Sequence, residues 1–130
     1  MEKERRNAIN KFELEGNVAN INDIYVNPRG KKSLRFDLGQ NNNGNTQYVP
    51  IVIKGDLVDT YGNDILKGDW LTIKGRISTY VKEVERNGNT YKNKVIEILG
   101  FEITNKDTNK VYTSDGQIHD IENEKEELER

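Results

Sequence analysis

The chain has no cysteine, one histidine, one tryptophan and two prolines in 130 residues. Without cysteine there are no disulfides and no thiolate metal sites, so a reducing cytoplasm is the expected compartment. No apolar run approaches the roughly 18 residues of a membrane span, and the opening MEKERRNAIN has no apolar signal stretch. Paired histidines and a glycine-rich phosphate loop are missing too. The carboxylates are scattered, and the lone His119 lies in an acidic stretch. Neither an enzyme nor a bound cofactor or metal is expected from this composition.

What remains is a polar chain, 33% hydrophobic and 32% charged, enough for one domain with a modest core. Its charge is unevenly spread. From Asp115 onward seven acidic residues stand against two basic ones, a balance of −5 against −2 for the whole chain, so residues 1–114 carry +3. A mildly basic body is followed by an acidic tail. Three parts are expected: an N-terminal arm over 1–9, a folded domain over 10–104 and an acidic tail over 105–130, whose end is either a short charged helix or disordered.

Hydrophobic alternation predicts five strands. KFELEGNV turns Phe12, Leu14, Gly16 and Val18 inward. SLRFDL does so with Leu34, Phe36 and Leu38, QYVPIVIK with Val49, Ile51 and Ile53, and DWLTIKGRI with Leu71, Ile73, Gly75 and Ile77. In NKVIEILGFEI the alternation slips between Ile98 and Leu99, which predicts a bulge near Gly100. Between the third and fourth strands, Leu57, Val58, Tyr61, Ile65 and Leu66 recur at helical spacing, with Asp56 as N-cap and Gly68 as stop. The connection GQNNNGNT reads as a polar loop with no packing role.

The most informative stretch is STYVKEVERNGNTYKNKV, residues 78–95. Asn87-Gly88 between β-compatible runs predicts a hairpin closed by a type I′ turn. Its arms carry Tyr80, Lys82, Arg86, Tyr91, Lys92 and Lys94 against only Glu83 and Glu85. Rings and cations together suit unpaired nucleic acid, which offers phosphates and exposed base faces.

Five strands with a helix between the third and fourth are the order of an OB-fold barrel, an all-β architecture that binds oligonucleotides across its second and third strands. Over about residues 10–104 the chain resembles the bacterial single-stranded DNA-binding protein family. The resemblance rests on NKFELEGNV, on YVPIVIKGDLVDTYGNDILKGDWLTIKGRI and on NGNTYKNKVIEI, taken in register. It implies single-stranded DNA as the partner, coated with little sequence preference during replication, repair, recombination or DNA transfer. Tyr48 stands where the family commonly stacks a tryptophan. Tyr80 and Lys82 stand where it places a basic and an aromatic residue. Tyr25, Arg29, Lys31 and Lys32 occupy the loop that flanks the same groove, and Arg35, Lys54, Lys74 and Arg76 alternate outward on the strands, with Trp70 at a strand start.

Three departures qualify the resemblance. Lys54 and Lys82 replace aromatics, so binding should lean on charge and depend on salt. Glu13 and Glu15 occupy the first strand's outward face, where family members pair through apolar side chains. The usual tetramer is therefore not expected, and self-association along DNA through the N-terminal arm is the alternative. The tail ends ENEKEELER with no phenylalanine tip, so recruitment of replication partners does not carry over; a plasmid, phage or conjugative-element version of the family fits that loss. Competing readings are an OB module for protein or RNA ligands and, remotely, a metal-dependent nuclease.

Overall fold

In the computed structural model, which describes residues 6–121, five strands close a barrel. The described residues form eight strands in all, β1 (Phe12–Ile21), β2 (Tyr25–Val26), β3 (Lys32–Asn42), β4 (Asn45–Lys54), β5 (Trp70–Arg86), β6 (Asn89–Asn105), β7 (Lys110–Thr113) and β8 (Ile118–Asp120); helix α1 (Asp56–Asp64) lies between β4 and β5. The barrel runs β1–β3–β4–β6–β5 and back to β1, all pairs antiparallel except β4 with β6. This is the expected OB-fold order, with the short β2 added at the edge of β3. Among the described residues no helix is long and apolar enough to cross a membrane.

The inward sets behave as their alternation predicts. Leu34, Phe36, Leu38, Ile51, Ile53, Leu71 and Ile73 are all buried in one cluster. Closure requires backbones to approach closely, and glycine permits it. A side chain at Gly75 would collide with the Leu99 carbonyl oxygen, and one at Gly16 with that of Gly39. The bulge falls where expected: Lys74 pairs with Glu102 but Gly75 with Gly100, leaving Phe101 as the extra residue. Past that point β5 leaves the barrel, so Ile77, expected inside, is half exposed.

The helix departs from expectation at both ends. Its N-cap is Gly55, at φ 64°, and Asp56 with Asp59 sits in the first turn, where acids suit the dipole. It stops at Asp64, four residues before Gly68, and Leu66 is exposed. The stretch GQNNNGNT is also no loop. The β3–β4 ladder continues through Gln40–Gln47, Asn41–Thr46 and Asn42–Asn45, around Asn43 and Gly44 at φ 53° and 84°. It is a second Asn-Gly hairpin, whose polar arms hide it from hydrophobic alternation.

The largest correction lies past residue 104. Instead of an arm outside the core, β7 and β8 extend the sheet from β6, and Tyr112 is buried. Its ring packs on Tyr61 at 5.0 Å between centroids, and Tyr61 meets Phe36 edge-on at 6.5 Å. The hydroxyls are bonded as burial demands: Tyr112 donates to Asp64 Oδ2 at 2.8 Å, and Tyr61 donates to Asp69 Oδ2 at 2.9 Å. The end of the expected tail, 122–130, lies outside the described residues, as do 1–5 of the N-terminal arm.

Two outcomes follow from the Tyr61–Tyr112 pair. A chain ending at residue 104 should lose about 3–5 kcal/mol of stability by denaturant unfolding, the cost of emptying a large aromatic site, whereas one ending at 121 should lose little. Burial, reinforced by the adjacent Asp69 and Asp64 carboxylates, holds both phenols above their ordinary value of 10.0. The stability they contribute is complete below pH 10 and declines above it, because the unfolded chain ionises first. Each tyrosine should remove about 1.4 kcal/mol per pH unit, seen as tyrosinate absorbance that appears with unfolding.

Candidate nucleic-acid interface

Outward positions of β3, β4, β5 and β6 meet the β1–β3 connection in a groove of about 800 Å³. Six of the sixteen residues singled out from the sequence line it: Tyr25, Lys31, Lys32, Arg35, Lys54 and Tyr80. The connection is held by Asn27, whose side-chain oxygen accepts from the backbone N–H groups of Arg29 and Lys31, both at 2.9 Å, with Gly30 at φ 81° completing the turn. That turn presents Arg29 and Lys31 beside the groove. Lys32 opens β3 and pairs with Asp59 of the helix at 2.8 Å.

At the base of the groove lies Glu97 of β6, only 4% exposed. Arg35 Nη2 donates to its Oε2 and Lys54 Nζ to its Oε1, both at 3.1 Å. The two cations are half exposed, so each is anchored at one atom while the rest of its head faces the groove. One buried acid thus orients two cations and leaves the trio net positive. Sequence reasoning missed Glu97. Its signal was a lone acid at an outward position of an otherwise apolar strand, VIEILG.

Tyr48 lies outside the groove lining but on the same outer face. It pairs across strands with Gly39, its ring resting over the position that lacks a side chain. Along β4 it precedes Lys54 by six residues, about 20 Å of strand, and is 60% exposed.

The β5–β6 hairpin turns through Asn87 and Gly88 at φ 53° and 79°, as Asn-Gly predicts. Its ladder sorts the side chains. Tyr80, Lys82 and Arg86 of β5 share the groove-side face with Tyr91 of β6, while Lys92 and Lys94 stand on the opposite face. Tyr80 faces Val95 and Tyr91 faces Val84, so the two rings are not a cross-strand pair.

Three other candidates lie away from the groove. Trp70 pairs with Asn17 on the outer β1–β5 surface. Lys74, opposite Glu13 there, approaches Glu102 at 3.8 Å. Arg76 stacks on Phe101, 5.6 Å from the ring centroid. Nearby Glu15 accepts from Lys106 Nζ at 2.8 Å and from Thr72, which hold its carboxyl below the usual range.

The family model for the single-strand binding proteins matches residues 9–102, well over half of the chain. The chain belongs to the single-strand binding protein family. Among solved structures, a deletion mutant of the single-stranded DNA-binding protein from Thermus aquaticus is similar with a TM-score of 0.57. The two are 18% identical over 75% of this chain and 40% of that one, a likeness of fold. No significant match is found among curated proteins. In this family member the groove, the hairpin face and Tyr48 all lie within the matched residues.

Replacing Glu97 by alanine should leave Arg35 and Lys54 side by side without their shared acid. Because both cations are half in water, the expected loss is about 1–3 kcal/mol, below that of a fully buried pair, measured by denaturant unfolding.

Proposed function

We propose that the protein binds single-stranded DNA without enzymatic action and with little sequence preference, coating exposed strands. The observation that carries this reading is the groove itself, where two exposed tyrosines and four cations converge in a member of this family. The cations meet phosphates and the rings stack on bases of any identity, each stacked base contributing about 1–3 kcal/mol. The strand would run from the groove along Tyr80, Lys82, Tyr91 and Arg86, with Tyr48 as a further platform. Trp70, Lys74, Arg76, Lys92 and Lys94 would stand outside this track. Support during replication, repair, recombination or DNA transfer is what such coating would serve.

The outer face of β1 argues against pairing through that surface. Glu15 is engaged with Lys106 and Thr72, and Glu13 faces Lys74, so a partner strand laid there would meet charge rather than apolar side chains.

Tyrosine-fluorescence competition between poly(dT), poly(U) and duplex DNA at fixed salt tests the reading, with poly(dT) expected to win. Preference for poly(U) would make it an RNA binder, and no quenching by any of the three would leave a protein-binding module. With three to five phosphates contacted, the log–log salt slope should be about −2 to −4. Tyr80→Ala should weaken poly(dT) binding roughly 10-fold or more, the loss of one stacked base. Lys74→Ala should leave it nearly unchanged.

A further inference from the structure

The groove holds an acid that no cation engages. Asn22, Asp23, Tyr25 and Asn27 of the β1–β3 connection form one of its walls, and Lys31, Lys32, Arg35 and Lys54 supply its positive charge. Glu97 takes Arg35 and Lys54, and Asp59 takes Lys32. Among the described residues the Asp23 carboxylate makes no ion pair or hydrogen bond, and the residue is exposed. Its neighbour is tied to β3, since the Asn22 backbone N–H donates to the Arg35 carbonyl at 3.0 Å. An unpaired carboxylate beside these cations only repels phosphate, unless another part of the ligand meets it.

The strand register points to that part. Tyr25 pairs with Ser33 of β3, and Ser33 with Lys54 of β4, so the three stand in one row across the groove. Two strand spacings, about 10 Å, separate the backbones of Tyr25 and Lys54. A nucleotide with its phosphate at Lys54 and Arg35 lays its base over Tyr25. Asp23, two residues before Tyr25 in the same wall, then stands at the edge of that base. We propose that Asp23 reads this edge, so that the groove prefers a pyrimidine with an exocyclic amino group, cytosine, to thymine or uracil. The inference rests on the strand-binding reading and adds selectivity at one nucleotide to it. A carboxylate only accepts hydrogen bonds. Cytosine offers it the N4 amino group, whereas thymine presents the O4 carbonyl there, acceptor against acceptor. The N3–H of thymine or uracil lies between two carbonyl oxygens, and a carboxylate approaching it meets both. Glu97, the other acid lining the groove, is engaged at both oxygens and is not free for this role.

Short oligo(dC) and oligo(dU), whose bases differ only in the C4 substituent and the N3 proton, test this by tyrosine-fluorescence titration of the full chain at neutral pH and fixed salt. The wild type should bind oligo(dC) about 5-fold or more tightly, the lower end of what one base-edge contact supplies. Asp23→Ala should bring the two affinities together, with oligo(dU) binding raised by the loss of a negative charge beside the phosphates. Asp23→Asn, whose amide offers O4 a donor as well as keeping an acceptor, should also erase the preference. Both variants should remain folded by circular dichroism, because the replaced carboxylate has no partner to lose. Equal binding of the two oligomers by the wild type overturns the inference and leaves strand binding standing. A preference for oligo(dC) that both variants keep overturns it as well, because the preference then comes from the bases themselves. Failure to bind either oligomer removes the strand-binding reading and this inference with it.

Discussion

The structure depends on one buried carboxylate. Barrel closure between β4 and β6 rests on two residue pairs, Ile51 with Ile98 and Val52 with Leu99. Beside that seam Glu97 of β6 clasps Arg35 of β3 and Lys54 of β4. The same ion pairs therefore fasten the least extensive join of the barrel and aim two cations into the groove. An acid inside a groove proposed to take phosphates looks counterproductive if charge alone is counted. In geometric terms it keeps two long, flexible side chains from dispersing into solvent, and so would lower the entropy lost on binding a phosphate under the proposed function.

A second constraint is the period of two along a strand. In the barrel, alternation separates core from surface. Where β5 and β6 run beyond the seam at Ile98 and Leu99 as a free hairpin, no core remains, and alternation instead separates two surfaces. One side carries rings and cations; the other carries a neutral, partly apolar set. The bulge at Phe101, where Gly75 lets the Leu99 carbonyl approach closely, lies just before the change from one use to the other.

Much of this was legible in the sequence. The five barrel strands, the helix between the third and fourth, the bulge and the Asn87-Gly88 hairpin all follow from alternation and turn chemistry. The polar Asn43-Gly44 hairpin and the strands after residue 105 did not, because hydrophobic alternation is blind to polar ladders and because Tyr112 sits in the largely polar stretch DTNKVYTSDG. The candidate site was legible in composition and blurred in geometry. Tyr25, Lys31, Lys32, Arg35, Lys54 and Tyr80 converge on one groove. Lys74 and Arg76 alternate outward as expected but on surfaces where Glu102 and Phe101 engage them. A one-dimensional pattern distinguishes inside from outside; it does not distinguish one outside from another. Glu97 was overlooked because an acid reads as a solvated residue until its two cationic partners, 62 and 43 positions away in the chain, are brought beside it.

Under the proposed function one surface carries the strand: the groove over Glu97, the Tyr80 face of the hairpin and Tyr48. The most direct measurement is a backbone amide NMR titration with a short oligo(dT). Shifts should concentrate at residues 25–35, 48, 54 and 78–82, with the amides of Glu13, Glu15 and Lys74 unmoved. Shifts centred on the β1–β5 surface, or scattered evenly around the barrel, would contradict it.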